Sequence, residues 1–209
     1  MLRAILLISL LHATVVSAEA TRILIVGDSL SAGYGLALED GWVSLLQARL
    51  VGSGYGHEVI NASISGDTSQ GGAARIERAL ALHSPTIVII ELGGNDGLRG
   101  IPATVMRDNL MHMTELAQAA GASVLLLGVQ IPANYGPAYR EAFEASFRSV
   151  AGATGAVLVP SFMDGVAMDE DLMQADGIHP NAAGQPQLLD TVWPLLLPML
   201  GPPAEPLQD

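Results

Sequence analysis

Two short segments, far apart in the chain, hold a serine, an imidazole and a carboxylate. Gly27-Asp28-Ser29-Leu30 stands where an apolar run ends, and Asp176-Gly177-Ile178-His179-Pro180 lies near the C-terminus. Serine-based acyl transfer needs these three groups: a hydroxyl to attack, a ring nitrogen to take its proton, and an acid to orient the ring. Asp176 and His179 are three residues apart in a loop punctuated by Gly and Pro. A tight turn there can set the carboxylate on one imidazole nitrogen and leave the other to face Ser29. His57, His83 and His112 have no neighbouring carboxylate in a loop setting and are given no role.

Acyl transfer also places negative charge on the carbonyl oxygen, and losing one donor aimed at it costs on the order of 3 kcal/mol. Two further segments, Ser65-Gly66-Asp67 and Gly93-Gly94-Asn95-Asp96, could supply such donors. The candidates are the Ser29 N–H, the N–H of Gly66, which has no side chain to block approach, and the Asn95 amide. Taken singly, each segment reads better as an ordinary turn, and it is their common place at strand ends that points to a site. Asp and His are also metal ligands, but no third histidine stands at a recognisable spacing, so the expectation is no metal. No serine sits in a G-x-S-x-G elbow. A P-loop, a G-x-G-x-x-G turn after the first strand and an H-E-x-x-H helix are likewise missing.

The elements that must position these residues follow from apolar periodicity. Arg22 to Val26, His57 to Ile60, Thr86 to Glu91, Ser123 to Val129 and Ala156 to Val159 read as strands, the third most strongly because Ile87 to Ile90 is one β-branched run. Between them Gly41 to Val51, Thr68 to Leu82, Thr104 to Ala120 (ending at Gly121) and Pro137 to Ala151 read as helices, with Arg75, Glu77 and Arg78 available for solvent. Asn181 to Leu200 begins as a helix that Pro186, Pro194 and Pro198 must start, kink or end. This alternation predicts an α/β domain with a parallel sheet covered by helices on both faces. Ligands in such sheets bind beyond the carboxyl ends of the strands, and Ser29, Gly66 and Asn95 all follow strands there.

The chain has 209 residues, half of them apolar, which is the size of one domain with a substantial core. Its net charge of −12 and scattered basic residues exclude nucleic acid and anionic membrane surfaces as partners. Zero cysteines exclude a disulfide scaffold, a thiolate nucleophile and cysteine-ligated zinc. Residues 1–20 carry Arg3, an apolar stretch from Ala4 to Val16, and two small-x-small sites, Val16-Ser17-Ala18 and Ala18-Glu19-Ala20. They read as a cleaved secretory signal, too short and too interrupted by His12 for a stable membrane span. The expectation is a periplasmic or secreted monomer with its domain at 21–200 and a loose tail at 201–209.

The four segments, in this order, resemble the blocks of the SGNH hydrolases, also called the GDSL esterase/lipase family. The phrases "ILIVGDSLSAGYGL", "NASISGDTSQGG", "ELGGNDGLRG", "IPANYG" and "DGIHPNAAGQ" are similar to the bacterial thioesterase I/protease I/lysophospholipase L and arylesterase group. The likeness spans Ile23 to Gly184. It implies a flavodoxin-like three-layer α/β/α fold with a small parallel sheet and no cofactor. It implies Ser29 as nucleophile, His179 as base and Asp176 as its orienting acid, with Ser29 N–H, Gly66 N–H and the Asn95 side chain as oxyanion hole. Asp28, by the same likeness, shapes the turn and is not the triad acid. The implied activity is hydrolysis of carboxylic esters and thioesters of acyl, aryl or lysophospholipid substrates. Leu98, Ile101, Ile131 and Tyr135 follow strands on the active edge and could line an acyl channel, or simply pack their loops. A carbohydrate acetylesterase on the same scaffold and a non-catalytic binding protein that kept the fold are the alternative readings.

Overall fold

The computed structural model describes residues 21–203, so the predicted signal at 1–20 and positions 204–209 of the predicted tail lie outside the described residues. Five strands form one parallel sheet: β1 (Arg22–Gly27), β2 (Glu58–Asn61), β3 (Ile87–Glu91), β4 (Ser123–Leu127) and β5 (Val157–Val159). Their order across the sheet is β2-β1-β3-β4-β5. The chain therefore reverses direction of growth at β1, and a crevice opens between the carboxyl ends of β1 and β3, the place where doubly wound sheets hold their ligands.

Strand sequence dictates the layering. Successive side chains point to opposite faces, and β1, β3 and β4 are apolar at every interior position, so both faces must be covered. Leu24, Val26, Val88, Ile90, Val124 and Leu126 pack against α3 (Ser69–His83), α5 (Ala103–Ala119) and α6 (Pro137–Thr154). Ile23, Ile25, Ile87, Ile89, Leu125 and Leu127 pack against α2 (Trp42–Gly52) and α7 (Gln185–Leu196). Trp42 and Phe162, both fully buried, meet edge to face in this second core. The fold class is the three-layer α/β/α arrangement implied by the sequence.

Differences from the predicted elements are local. Two short helices, α1 (Ser29–Ala32) and α4 (Gly94–Leu98), lie within the segments read as turns. The last helix starts at Gln185 and not at Asn181, because the Asn181 side chain accepts from the N–H groups of Ala183 and Gly184 and so closes its own turn first. Pro186 then occupies the first turn, and α7 runs through Pro194 to Leu196. Arg75, expected to face solvent, is folded inward: it pairs with Asp67 at 2.9 Å and donates to the carbonyls of Ala62 and Gly27.

Candidate active site

β1 ends at Gly27, and the next residue, Asp28, caps α1 by accepting from the Leu30 N–H at 3.0 Å. A carboxylate that satisfies the first turn in this way leaves Ser29 as the first helical residue, its own N–H free of intrahelical bonding. Ser29 Oγ lies 2.9 Å from His179 Nε2, and His179 Nδ1 lies 2.7 Å from Asp176 Oδ2. The hydroxyl near one end of the chain and the imidazole near the other therefore meet at one rim of the sheet.

The turn that carries His179 is built by Asp176 itself. Its Oδ1 accepts from the N–H groups of Ile178 at 2.9 Å and His179 at 3.0 Å, while Gly177 supplies a left-handed φ of +65°. These backbone donors and the imidazole hold the Asp176 carboxyl down at about 2, so it is ionised wherever the imidazole can act. Gln174 fastens the loop to the nucleophile side: its side-chain amide donates to the carbonyls of Tyr34 and Pro180. The Tyr34 ring lies over His179 with centroids 4.6 Å apart. Tyr34, Leu30, Gly33 and Leu36 meet Ser29 and His179 along a crevice too narrow to admit a water molecule.

The two other segments arrive at the same crevice. Asn95, on α4, donates from Nδ2 to Asp28 Oδ2 at 3.0 Å. One hydrogen of its amide is thereby fixed, and the second is left to point elsewhere. Gly66 adopts φ +81°, and Arg99 donates to its carbonyl at 2.8 Å. Arg75 ties this loop to the nucleophile turn through its bonds to Asp67, Ala62 and Gly27. Asp96, fully buried, accepts from the N–H and hydroxyl of Ser69 at 2.8 and 2.5 Å, joining α4 to the start of α3.

Asp28 is nearly buried, which pushes its carboxyl up to about 6, against the Leu30 N–H and the Asn95 amide that favour its charge. Neither imidazole nitrogen bonds to it: Nδ1 is on Asp176 and Nε2 on Ser29.

The four residues expected to line an acyl channel divide. Leu98 is exposed, and Tyr135 and Ile101 are partly covered. The Tyr135 hydroxyl donates to the Leu98 carbonyl at 2.9 Å, and the Tyr139 hydroxyl donates to the Ile101 carbonyl at 2.6 Å, so two phenols strap the 98–101 segment to α6 and the turn before it. Ile131 is a correction. It is only 3 % exposed and packs in the core with Phe143, so close to Gly97 that a Cβ there would meet it. Its loop turns inward beneath α4, and its side chain is packing.

Sequence reasoning did not single out Tyr34, Gln174 or the inward role of Arg75. The only signal was proximity: Tyr34 and Gln174 each lie five residues or fewer from a motif residue. Among the described residues no cluster of three or more His, Cys, Asp or Glu is placed to hold a metal ion.

Comparison with known proteins adds independent findings. Residues 25–186 match the model of the GDSL-like Lipase/Acylhydrolase family. The chain is 54% identical over 183 residues to Esterase TesA of Pseudomonas aeruginosa, covering 88% of this chain and 91% of that one. It is 42% identical over 184 residues to Thioesterase 1/protease 1/lysophospholipase L1 of Escherichia coli, covering 88% and 87%. Among solved structures, the psychrotrophic esterase EstA from Pseudoalteromonas sp., inhibited by monoethylphosphonate, superposes with a TM-score of 0.83 at 44% identity, covering 87% of this chain and all of that one.

Proposed function

This chain belongs to the GDSL-like lipase/acylhydrolase family, and from that premise we propose that it hydrolyses carboxylic esters through an acyl-enzyme on Ser29. It is an esterase of the GDSL type. The observation that carries the assignment of roles is the relay itself: Ser29 Oγ at 2.9 Å from His179 Nε2, with Asp176 at 2.7 Å on the far nitrogen. In this reading Ser29 Oγ attacks the acyl carbon while its proton passes to His179 Nε2. The ionised Asp176 keeps the proton of Nδ1 in place and stabilises the imidazolium. The Ser29 N–H, the Gly66 N–H and the free hydrogen of Asn95 Nδ2 receive the oxyanion. Collapse of the tetrahedral intermediate breaks the bond to the alcohol, which leaves with the proton from His179. Water then repeats the sequence, with His179 as base, and frees the acid and Ser29.

The substrate is a small molecule with an acyl group bonded to an alcohol, a phenol, a thiol or a lysophospholipid glycerol. The exposed side chains of Tyr34, beside His179, and of Leu98, on the helix that carries Asn95, offer apolar surface that favours an apolar acyl chain over acetyl. Residues 1–20 act as a cleaved export signal, and the enzyme works as a monomer in the periplasm or medium; no helix among the described residues is long and apolar enough to cross a membrane.

The decisive test is Ser29→Ala in purified protein. Hydrolysis of p-nitrophenyl esters should fall by at least about 10³-fold and fluorophosphonate labelling should vanish, with the circular dichroism spectrum unchanged. A mutant as active as wild type would remove the nucleophile from this account. A chain-length series on wild type should favour octanoyl over acetyl; an acetyl optimum would point instead to a de-acetylating esterase.

A further inference from the structure

Glu91 closes β3 and is fully buried, although the proposed mechanism gives it no part. Strand register sets it beside Gly27. A Cβ at Gly27 would come within 2.9 Å of Glu91 Oε2 and 2.8 Å of Ser31 Cβ. The glycine that precedes Asp28 is therefore the space in which this carboxyl lies, directly under the nucleophile turn.

The contacts of the carboxyl are lopsided. Oε2 accepts from the Ser31 hydroxyl at 2.8 Å and from the Asp28 N–H at 3.3 Å. Oε1 is buried with no hydrogen-bond partner. A carboxylate spreads its charge over two oxygens and calls for donors at both, whereas a carboxylic acid has one accepting oxygen and one hydroxyl. Leaving an O–H unpaired is far less costly than burying half of an unpaired anion.

The groups around it agree. Asp28, at the end of β1, is the charged neighbour that acts on Glu91, and it repels a second negative charge. Arg75 reaches over from α3 but bonds to Asp67, Ala62 and Gly27 and not to Glu91. His179, from the C-terminal loop, acts on Asp28. Ser31 and Asn61, whose amide donates to the Ser31 carbonyl, are neutral. Burial first, and the Asp28 charge second, hold the proton on Glu91. Both carboxyls accept hydrogen bonds, but Asp28 accepts at both of its oxygens, from the Leu30 N–H at Oδ1 and the Asn95 amide at Oδ2, and it carries the charge.

We infer that Glu91 is a neutral carboxylic acid that positions the nucleophile turn, its Oε2 receiving Ser31 and the Asp28 N–H. The inference rests on the roles proposed above for Ser29 and Asn95. Asp28 is the pivot: its N–H is set by Glu91, its Oδ2 holds the Asn95 amide, and it adjoins Ser29. Ionising Glu91 would place two repelling carboxylates on one buried turn and shift both the hydroxyl and the oxyanion donor.

Two variants and a spectrum test this. Glu91→Ala should lower kcat by about ten- to a hundredfold at nearly constant KM, because the loss is one of alignment. Glu91→Gln, which keeps the accepting oxygen and adds no charge, should rescue kcat to within about threefold of wild type. The infrared difference between wild type and Glu91→Gln at neutral pH should contain a deuterium-sensitive carboxylic-acid C=O band. A folded Glu91→Gln enzyme reduced tenfold or more, or a spectrum losing only ionised carboxylate bands, would overturn the inference. Should Glu91→Gln not fold, Ser31→Ala serves: a lower kcat at constant KM supports positioning, and an unchanged kcat refutes it. The infrared band needs no turnover, so it is read independently of whether Ser29→Ala is inactive.

Discussion

Replacing Asp176 by Asn changes one atom and should disable the enzyme for a reason that can be worked out from the loop. Asp176 Oδ1 accepts two backbone N–H groups, from Ile178 and His179. In Asp176→Asn the amide oxygen keeps that place, and the –NH₂ turns toward His179 Nδ1. A donor at Nδ1 makes that nitrogen the acceptor and moves the ring proton to Nε2, the atom that must receive the proton of Ser29. Reversing the amide would restore the right tautomer but break two hydrogen bonds of about 1–1.5 kcal/mol each. That cost, roughly 2–3 kcal/mol, leaves only about one molecule in 30 to 150 competent. The lost charge adds to it. Asp176 is 37 % exposed, so its attraction for the imidazolium is screened. At about 4 Å and an effective dielectric of about 40 it amounts to roughly 2 kcal/mol. Together these give about 4–5 kcal/mol, a fall in kcat of roughly 10³- to 10⁴-fold. The assay is p-nitrophenyl ester turnover by Asp176→Asn, with thermal melting to verify the fold. A variant within about tenfold of wild type would show that Asp176 does not govern the tautomer.

Two further outcomes follow from the same geometry. Asn95→Ala removes an oxyanion donor and should cost about 10²-fold in kcat with little change in KM, measured on the same ester; an effect on KM alone would place Asn95 in ground-state binding. The pH dependence of stability should carry two opposite signatures, read by melting wild type against D28N and D176N. The Asp28 carboxyl is raised from 3.8 to about 6 in the fold, so its buried charge opposes folding above about 6, and that penalty is relieved as pH falls toward 3.8. Asp176 is lowered from 3.8 to about 2, so its stabilisation is full above 3.8 and disappears as pH falls through about 2. A difference between wild type and D28N that stays flat across neutral to mildly acid pH would refute the first signature.

The sheet was legible in the sequence because parallel strands buried on both faces leave a continuous apolar run, and Ile23 to Val26, Ile87 to Ile90 and Val124 to Leu127 each do so. Strand ends are harder, since they are set by where the neighbour stops. β4 ends at Leu127 and not at Val129, because the Gly128 N–H bonds to the Val159 carbonyl as the chain turns toward Phe162. The helices α1 and α4 were hidden for a related reason. They are four and five residues long, too short for any apolar period, and rest on single polar contacts: the Asp28 cap for the one, the buried Asp96–Ser69 pairing for the other. Ile131 misled because pocket walls and loop cores draw on the same residue types, and only burial separates them.

Glu91 and Arg75 show where pattern reading gives out. An acid ending a run of β-branched residues looks like a strand terminus facing water, and an arginine on a polar helix face looks solvated. What decides otherwise is the order of strands. With β1 between β2 and β3, the Glu91 side chain emerges under Gly27, and Arg75 on α3 finds the open carbonyls of Gly27 and Ala62 within reach. Both polar groups are then enclosed by the crevice that gathers Ser29, Gly66 and Asn95. A charge placed there must be matched or neutralised: Arg75 is matched by Asp67 and two carbonyls, and Glu91, facing Asp28 with no cation bonded to it among the described residues, keeps its proton. The switch point of the sheet thus fixes the protonation of its buried groups together with the position of its reacting ones.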